Sequence, residues 1–258
     1  MITVFFIFTL SFLGLSIGSF VNAWAWRTRE RLPIAIARSM CTACKVPLTW
    51  YDNIPLVSFL FLKGKCRSCA VPISWQYPIV ELLGLVAFLA VGAHYQFSYM
   101  SWPFILRDIS VAGFLLAILV YDIRYMEILD RTTLLPAALL FVTTFIFSWQ
   151  PTWYSMLTGV GIGAGFFALQ YILSRGRWIG GGDIRLGAFM GVILGSPLIW
   201  IGLLFSYVLG GVAGAVLLLM KKANGKTALP FGLFLVPGTF FAMLYGQELL
   251  NWYVNLLK

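Results

Sequence analysis

The stretch that decides the fold is LIWIGLLFSYVLGGVAGAVLLLM (198–220), an apolar run without one charged side chain. A helical crossing of the bilayer core takes ~20 mostly apolar residues. Stretches of this kind recur along nearly the whole 258-residue chain, of which 60% is apolar and only 10% charged. That composition excludes a soluble globular enzyme and a disordered chain. It predicts an all-α polytopic membrane protein with about eight spans, at 2–26, 76–95, 103–122, 132–149, 153–173, 183–197, 198–220 and 229–254. Only Gly195, Ser196 and Pro197 divide the sixth span from the seventh, and length favours two helices there over one kinked one. The first span resembles a signal peptide superficially. It lacks a basic residue before it and a small-residue cleavage site, and it is read as retained.

The basic residues order these spans. Arg27, Arg29, Arg31, Arg38, Lys45, Lys63, Lys65 and Arg67 share the first loop; Arg124 and Arg131 the third; Arg175, Arg177 and Arg185 the fifth; Lys221, Lys222 and Lys226 the seventh. Only Arg107 and Lys258 fall on the other side, so the positive-inside rule predicts an outer N-terminus and four cytoplasmic loops. Topology thus accounts for most of the net charge of +9, and no nucleic-acid partner is expected. Small residues four apart, Gly14/Gly18, Gly159/Gly163, Gly187/Gly191/Gly195 and Gly210/Gly214, fit close helix packing. The first pair also spells a G-x-S-x-G string, but inside an apolar helix no nucleophile elbow can form.

All four cysteines lie in the loop 27–75, as Cys41 and Cys44, then Cys66 and Cys69. Two C-x-x-C knuckles supply four thiolates to a tetrahedral ion and predict structural zinc, which leaves no open coordination position for catalysis. A short loop without a hydrophobic core gains its fold from such a metal. The alternatives are disulfide or redox use, which a reducing cytoplasmic side disfavours, and unpaired thiols.

Histidine chemistry has little to work with. The single His94 sits at the outer end of the second span and reads as an interfacial residue. Carboxylates remain, and those at span edges are expensive to keep there. Asp122 closes the third span and Asp183 opens the sixth after Gly180, Gly181 and Gly182, both at the predicted cytoplasmic boundary. Two carboxylates brought together there cannot both ionise; the charged one activates water while the protonated one polarises a peptide carbonyl. The preceding glycines leave room for an extended substrate strand. The bland alternative is boundary ion pairing of Asp122 with Arg124 and of Asp183 with Arg185. Asp130 reads as the N-cap of the fourth span.

Several blocks then resemble the type IV prepilin peptidases. They are the GSFVN stretch from Gly18 to Asn22, the cysteine segment from Ser39 through Asp52 and Pro55 to Glu81 and Leu82, the Gly180–Leu186 stretch with its GxGD-like pattern and following basic residue, and LPFG at Leu229–Gly232. The chain departs from the family pattern at Leu129, where proline is usual before the second aspartate of the first motif, and in the displaced Pro136. The resemblance implies a bifunctional enzyme of the bacterial inner membrane that removes basic leaders from type IV prepilins or pseudopilins at the cytoplasmic face. It implies methylation of the new N-terminus with S-adenosylmethionine, and it puts the catalytic aspartates on Asp122 and Asp183, with Gly180, Gly182 and Arg185 in the supporting loop. Methyl transfer would belong to region 1–95, with Glu81 and Asn22 as candidates to meet substrate or cofactor. Region 103–220 would be the peptidase core and 221–258 a last loop and span. Basic residues such as Arg177 and Arg185 are expected to hold an acidic residue of the substrate. The competing readings are a carboxylate-based transporter with a zinc-stapled loop, a wider GxGD protease that cuts inside spans, and a non-enzymatic assembly factor.

Overall fold

The computed structural model describes residues 2–34, 38–98, 101–221 and 229–257. Lys222, Lys226 and Lys258, used above for topology, lie outside the described residues. The helices are α1 (Ile2–Arg29), α2 (Val57–Phe61), α3 (Gln76–His94), α4 (Trp102–Tyr125), α5 (Asp130–Phe147), α6 (Trp153–Ser174), α7 (Gly181–Leu194), α8 (Leu198–Leu219) and α9 (Gly232–Leu256). A single 3₁₀ turn, Trp50–Asn53, stands among them, and no strand occurs among the described residues.

Eight of these helices answer to the eight expected spans. The doubtful division falls where length placed it: Gly195 adopts φ +63°, a value open to glycine, and Pro197 precedes α8. Seven of the eight are long and apolar enough to cross a membrane. The exception is α7, whose 14 residues rise only ~21 Å against a hydrocarbon core of ~30 Å. Burial explains its tolerance of that length, since Leu186, Phe189, Met190 and Leu194 are all enclosed by protein and have no lipid to match.

The chain forms two compact units, Met1–Val120 and Tyr121–Lys258, with the division inside α4. In the first, α1 and α3 run antiparallel in close contact. A Cβ on Gly14 would lie 2.6 Å from the Gly84 carbonyl oxygen, and one on Gly18 would lie 2.6 Å from the Cα of Glu81. Backbone approach of this kind is what small residues permit. At the far end of α3, Tyr95 donates to Asp108 at 2.8 Å while Arg107 pairs with the same carboxylate at 2.6 Å, so this buried acid is satisfied. His94 meets Tyr95 edge-on.

In the second unit α7 is central and α6 lies along it. Cβ atoms on Gly163 and Gly191 would fall 2.2 Å from the Gly187 oxygen and 2.4 Å from the Gly159 oxygen. Ser155 on α6 exchanges hydrogen bonds with Ser196 at 2.8 and 3.1 Å, so α7 returns the chain to the level at which α6 began. The packing expectation fails at Gly214, which has nothing within 4 Å among the described residues, while Gly210 meets the Phe234 and Phe231 rings and no backbone.

Candidate functional site

Asp122 lies in the last turn of α4 and Asp183 in the first turn of α7, and both are buried, at 4% and 9% exposure. Each accepts one backbone hydrogen bond on Oδ2. Gly232 donates to Asp122 at 2.8 Å, and Gly180 donates to Asp183 at 2.9 Å, the latter bond completing a capping arrangement at the start of α7. The charge of Asp122 reaches Asp183, so the two carboxylates share one electrostatic environment.

Glycine is required at two points around them. A Cβ on Gly232 would stand 2.7 Å from the Asp122 oxygen that its own N–H holds. A Cβ on Gly182 would stand 2.9 Å from the Cβ of Ile128, which is buried in the turn after α4. Gly180 has more room, its nearest neighbour being the Asp183 carboxylate at 3.6 Å. The loop after Asp122 and the glycine run before Asp183 therefore press against each other.

Neither boundary ion pair suggested as the bland alternative forms. Arg185 makes its ion pair with Asp130, and Arg124 lies over the Tyr125 ring at 5.5 Å. Asp130 is the first residue of α5, with Leu129 at the N-cap position, which corrects the capping role expected of it. The guanidinium of Arg185 is a better partner for it than a backbone N–H, and an acid in a first helical turn is favoured in any case.

The sequence reading missed Tyr207 and Gln170 nearby, and gave Phe231 no role beyond its place in the LPFG block. Tyr207 donates to Gln170 at 2.9 Å and is near enough to Asp183 to feel its charge. Phe231 packs edge-on against Tyr207 and Phe167, at 5.4 and 6.1 Å between centroids. The signal for Tyr207 was present, as a hydroxyl inside an otherwise apolar run.

The cysteine lobe belongs to the first unit. The four sulfurs lie within 4.8 Å of one another, all four cysteines are free, and Cys41 and Cys69 stand 3.9 Å apart. Zinc–sulfur bonds of ~2.3 Å to a tetrahedral ion imply sulfur–sulfur edges of about 3.8 Å, so the donor set fits such a metal. Each knuckle closes in the same way. Cys41 and Cys66 donate to the carbonyls of Val46 and Val71, and accept from the amides of Lys45 and Ala70, residues that both take positive φ. The segments CTACKVPLTW (41–50) and CRSCAVPISW (66–75) are in fact two copies of one motif, legible in the sequence and overlooked there. Asp52 clamps the copies together, accepting from Thr49 Oγ1 at 2.5 Å and from Arg67 at 2.9 Å. The Cys44 amide draws the Cys41 thiol down to about 7. At Cys69 the Val71 amide pulls the same way, but burial and the three neighbouring thiols outweigh it and push the group up to about 11.

Glu81 and Asn22 are buried and engaged with protein. Glu81 accepts from the Leu56 amide at 2.8 Å, while Asn22 donates to the Tyr77 carbonyl at 3.2 Å and accepts from Gln76 at 3.2 Å. Both join α1 and the cysteine lobe to the start of α3. This geometry fits a positioning role, and no methyl-transfer step follows from these two side chains alone.

Fold and site define a class first: a multi-pass helical membrane protein with a buried aspartate pair at helix ends and a separate four-thiol lobe. Residues 12–95 match the Bacterial Peptidase A24 N-terminal domain, and residues 109–215 match the Type IV leader peptidase family. A prepilin leader peptidase/N-methyltransferase of Bacillus subtilis (strain 168) is 33% identical over 256 residues, 99% of each chain. A protein of the same name from Legionella pneumophila is 31% identical over 89% of this chain and 79% of its own length. One from Aeromonas salmonicida (strain A449) is 30% identical over 88% and 77%. The chain belongs to the prepilin leader peptidase/N-methyltransferase family. No solved structure matches it.

Proposed function

We propose that this protein is a bifunctional membrane enzyme. It is an aspartyl endopeptidase that removes the leader of type IV prepilins or pseudopilins, and it methylates the new N-terminus with S-adenosylmethionine as donor. The observation that carries the peptidase reading is the pair Asp122 and Asp183. Both are buried, the charge of Asp122 reaches Asp183, and each is held by a backbone N–H on Oδ2. One carboxyl keeps its proton and the other is ionised. The ionised group takes a proton from water as the water oxygen attacks the scissile carbonyl carbon, and the protonated group gives its proton to the carbonyl oxygen. The tetrahedral diol then collapses: the C–N bond breaks, the leaving amine takes up the proton first removed from water, and one diol hydroxyl returns its proton to the carboxylate that had protonated the carbonyl oxygen. Gly180 and Gly182 bring backbone close to the pair, leaving an edge against which an extended substrate can lie.

The finer assignments belong to the same reading. The protein sits in the bacterial plasma (inner) membrane with its N-terminus outside and the aspartates at the cytoplasmic face, which the distribution of basic residues supports. Cys41, Cys44, Cys66 and Cys69 hold zinc, and the closed set of four sulfurs gives the metal a structural part. Region 1–95 carries methyl transfer, with Glu81 and Asn22 positioning the lobe, and 103–220 carries proteolysis.

The test is leader cleavage of a prepilin reporter in liposomes by the parent protein and by Asp122→Asn and Asp183→Asn, with helix content and bound metal checked in each. Both variants should lose cleavage while keeping fold and metal. Cleavage retained by either one removes the pair assignment.

A further inference from the structure

The segment Ile54–Leu62, IPLVSFLFL, contains α2 and no charged residue, yet it belongs to neither a span nor a knuckle. Four of its side chains are turned outward. Leu60 and Phe61 are 72% and 83% exposed, and Ile54 and Val57 are exposed as well. An apolar patch of this kind on a water-facing lobe would be a liability.

Its depth along the helix pair says what covers it. α1 and α3 are aligned by Gly18 against Glu81 and by Asn22 against Gln76. Glu81 is thus about a turn and a half inside α3, and its carboxylate holds the Leu56 amide at 2.8 Å, beside Ser19 of α1. Ser19 lies eight residues before Arg27, the first charged residue of α1, a rise of ~12 Å. Leu56 is therefore tied at a level where both flanking helices are still apolar and crossing the membrane. It takes φ +60° to turn there, and the chain then runs through α2 back to Lys63 and Lys65. Lysines at such an exit reach headgroups with their ammonium ends while their stems stay among acyl chains.

We propose that Ile54–Leu62 is a re-entrant wedge seated in the lipid leaflet that faces the cysteine lobe, pinned to α3 by the bond from the Leu56 amide to Glu81. Leu60 and Phe61 meet acyl chains. The lobe is then partly sunk in the bilayer, not perched on it, and its depth is set by Glu81. The inference goes beyond the enzymatic reading and does not depend on it.

The test uses the full-length, zinc-loaded protein in vesicles of phosphatidylethanolamine and phosphatidylglycerol, with an environment-sensitive NBD fluorophore on Phe61→Cys. Leu60→Cys is the second position, Glu30→Cys the aqueous reference and the unsubstituted chain the labelling blank. Bound metal and helix content verify the fold of each variant. The wedge predicts blue-shifted emission at both positions, strong quenching by lipids with a spin label on the acyl chain, and much weaker quenching by aqueous iodide than at Glu30→Cys, as for groups ~5–10 Å below the interface. Iodide quenching equal to that of the reference overturns the proposal. So does protection from iodide and lipid quenchers alike, which would mean that protein covers the segment.

Discussion

The cysteine lobe and the aspartate pair are built in opposite ways. The lobe collects its four sulfurs from residues 41–69, and each knuckle closes on its own backbone amides. The aspartate site draws on Asp122, Asp183 and Gly232, brought together by helices packed through glycine. On the proposed reading a lobe with so little core takes its order from the ion its four sulfurs fit, whereas the aspartates take theirs from the close approach of backbones. Damage should follow the same division. Loss of metal should unfold the lobe and spare the helix-built site, and crowding a glycine should disable the aspartates and spare the lobe.

Metal removal should produce the largest effect. Structural zinc sites contribute ~10–16 kcal/mol of apparent binding energy at neutral pH, well above what a short loop can replace. Chelation, or Cys66→Ser, is expected to make 38–75 sensitive to protease and to abolish methyl transfer, while leader cleavage persists. Limited proteolysis beside both activity assays checks this, and cleavage lost in step with methylation would break the contrast. The pH sign follows from the thiols. Cys69, pushed up to about 11, is protonated at neutral pH without metal, so binding expels its proton and affinity must fall as pH falls. Competition with a chromophoric chelator across pH 6–8, roughly one unit on either side of neutrality, measures the slope.

Next comes Asp183→Asn, which removes one member of a proton-transfer pair and should lower kcat for cleavage by ~10²–10⁴. Methyl transfer on a precleaved substrate should be unchanged. A parallel fall in both activities would mean that the two regions are not independent.

Gly232→Ala should cost less. Its Cβ would collide with the Asp122 oxygen at 2.7 Å and turn the carboxylate, and misplacement of that order costs on the order of 10² in rate. Gly211→Ala is the matched control, because nothing among the described residues lies within 4 Å of that position. Equal activity of the two alanine variants would remove the positioning role of Gly232.

These differences also explain what could be read from the sequence. The spans were legible because a bilayer demands long apolar helices, and the thiol site because its spacing is local. The aspartates were legible because only nine acidic residues occur in the chain and few fall at span edges. The hydrogen bond from Gly232 to Asp122 was not, since it joins residues 110 apart and only packing brings them together. For the same reason the sequence offers Arg185 only its near neighbour Asp183 as an alternative ion-pair partner, when its ion pair is with Asp130 on another helix. Gly214 shows the limit of the small-residue pattern, which marks where helices can approach but not whether one does.

The Arg185 pair supplies the smallest predicted effect and the finest test of the comparison. Both partners are substantially exposed, at 38% and 60% of their side chains. Exposed pairs contribute about 0–1 kcal/mol, so Arg185→Ala should leave the melting temperature almost unchanged. If Arg185 instead serves substrate by meeting an acidic side chain of the prepilin, Arg185→Glu should raise KM for cleavage several-fold at low salt, with kcat held. Screening over a Debye length of ~8 Å at physiological ionic strength should narrow that gap as salt is added. A KM insensitive to both charge reversal and salt would leave Arg185 with only its structural pairing to Asp130. A fall in kcat would instead place it with Gly232 among the residues that hold the aspartates in register.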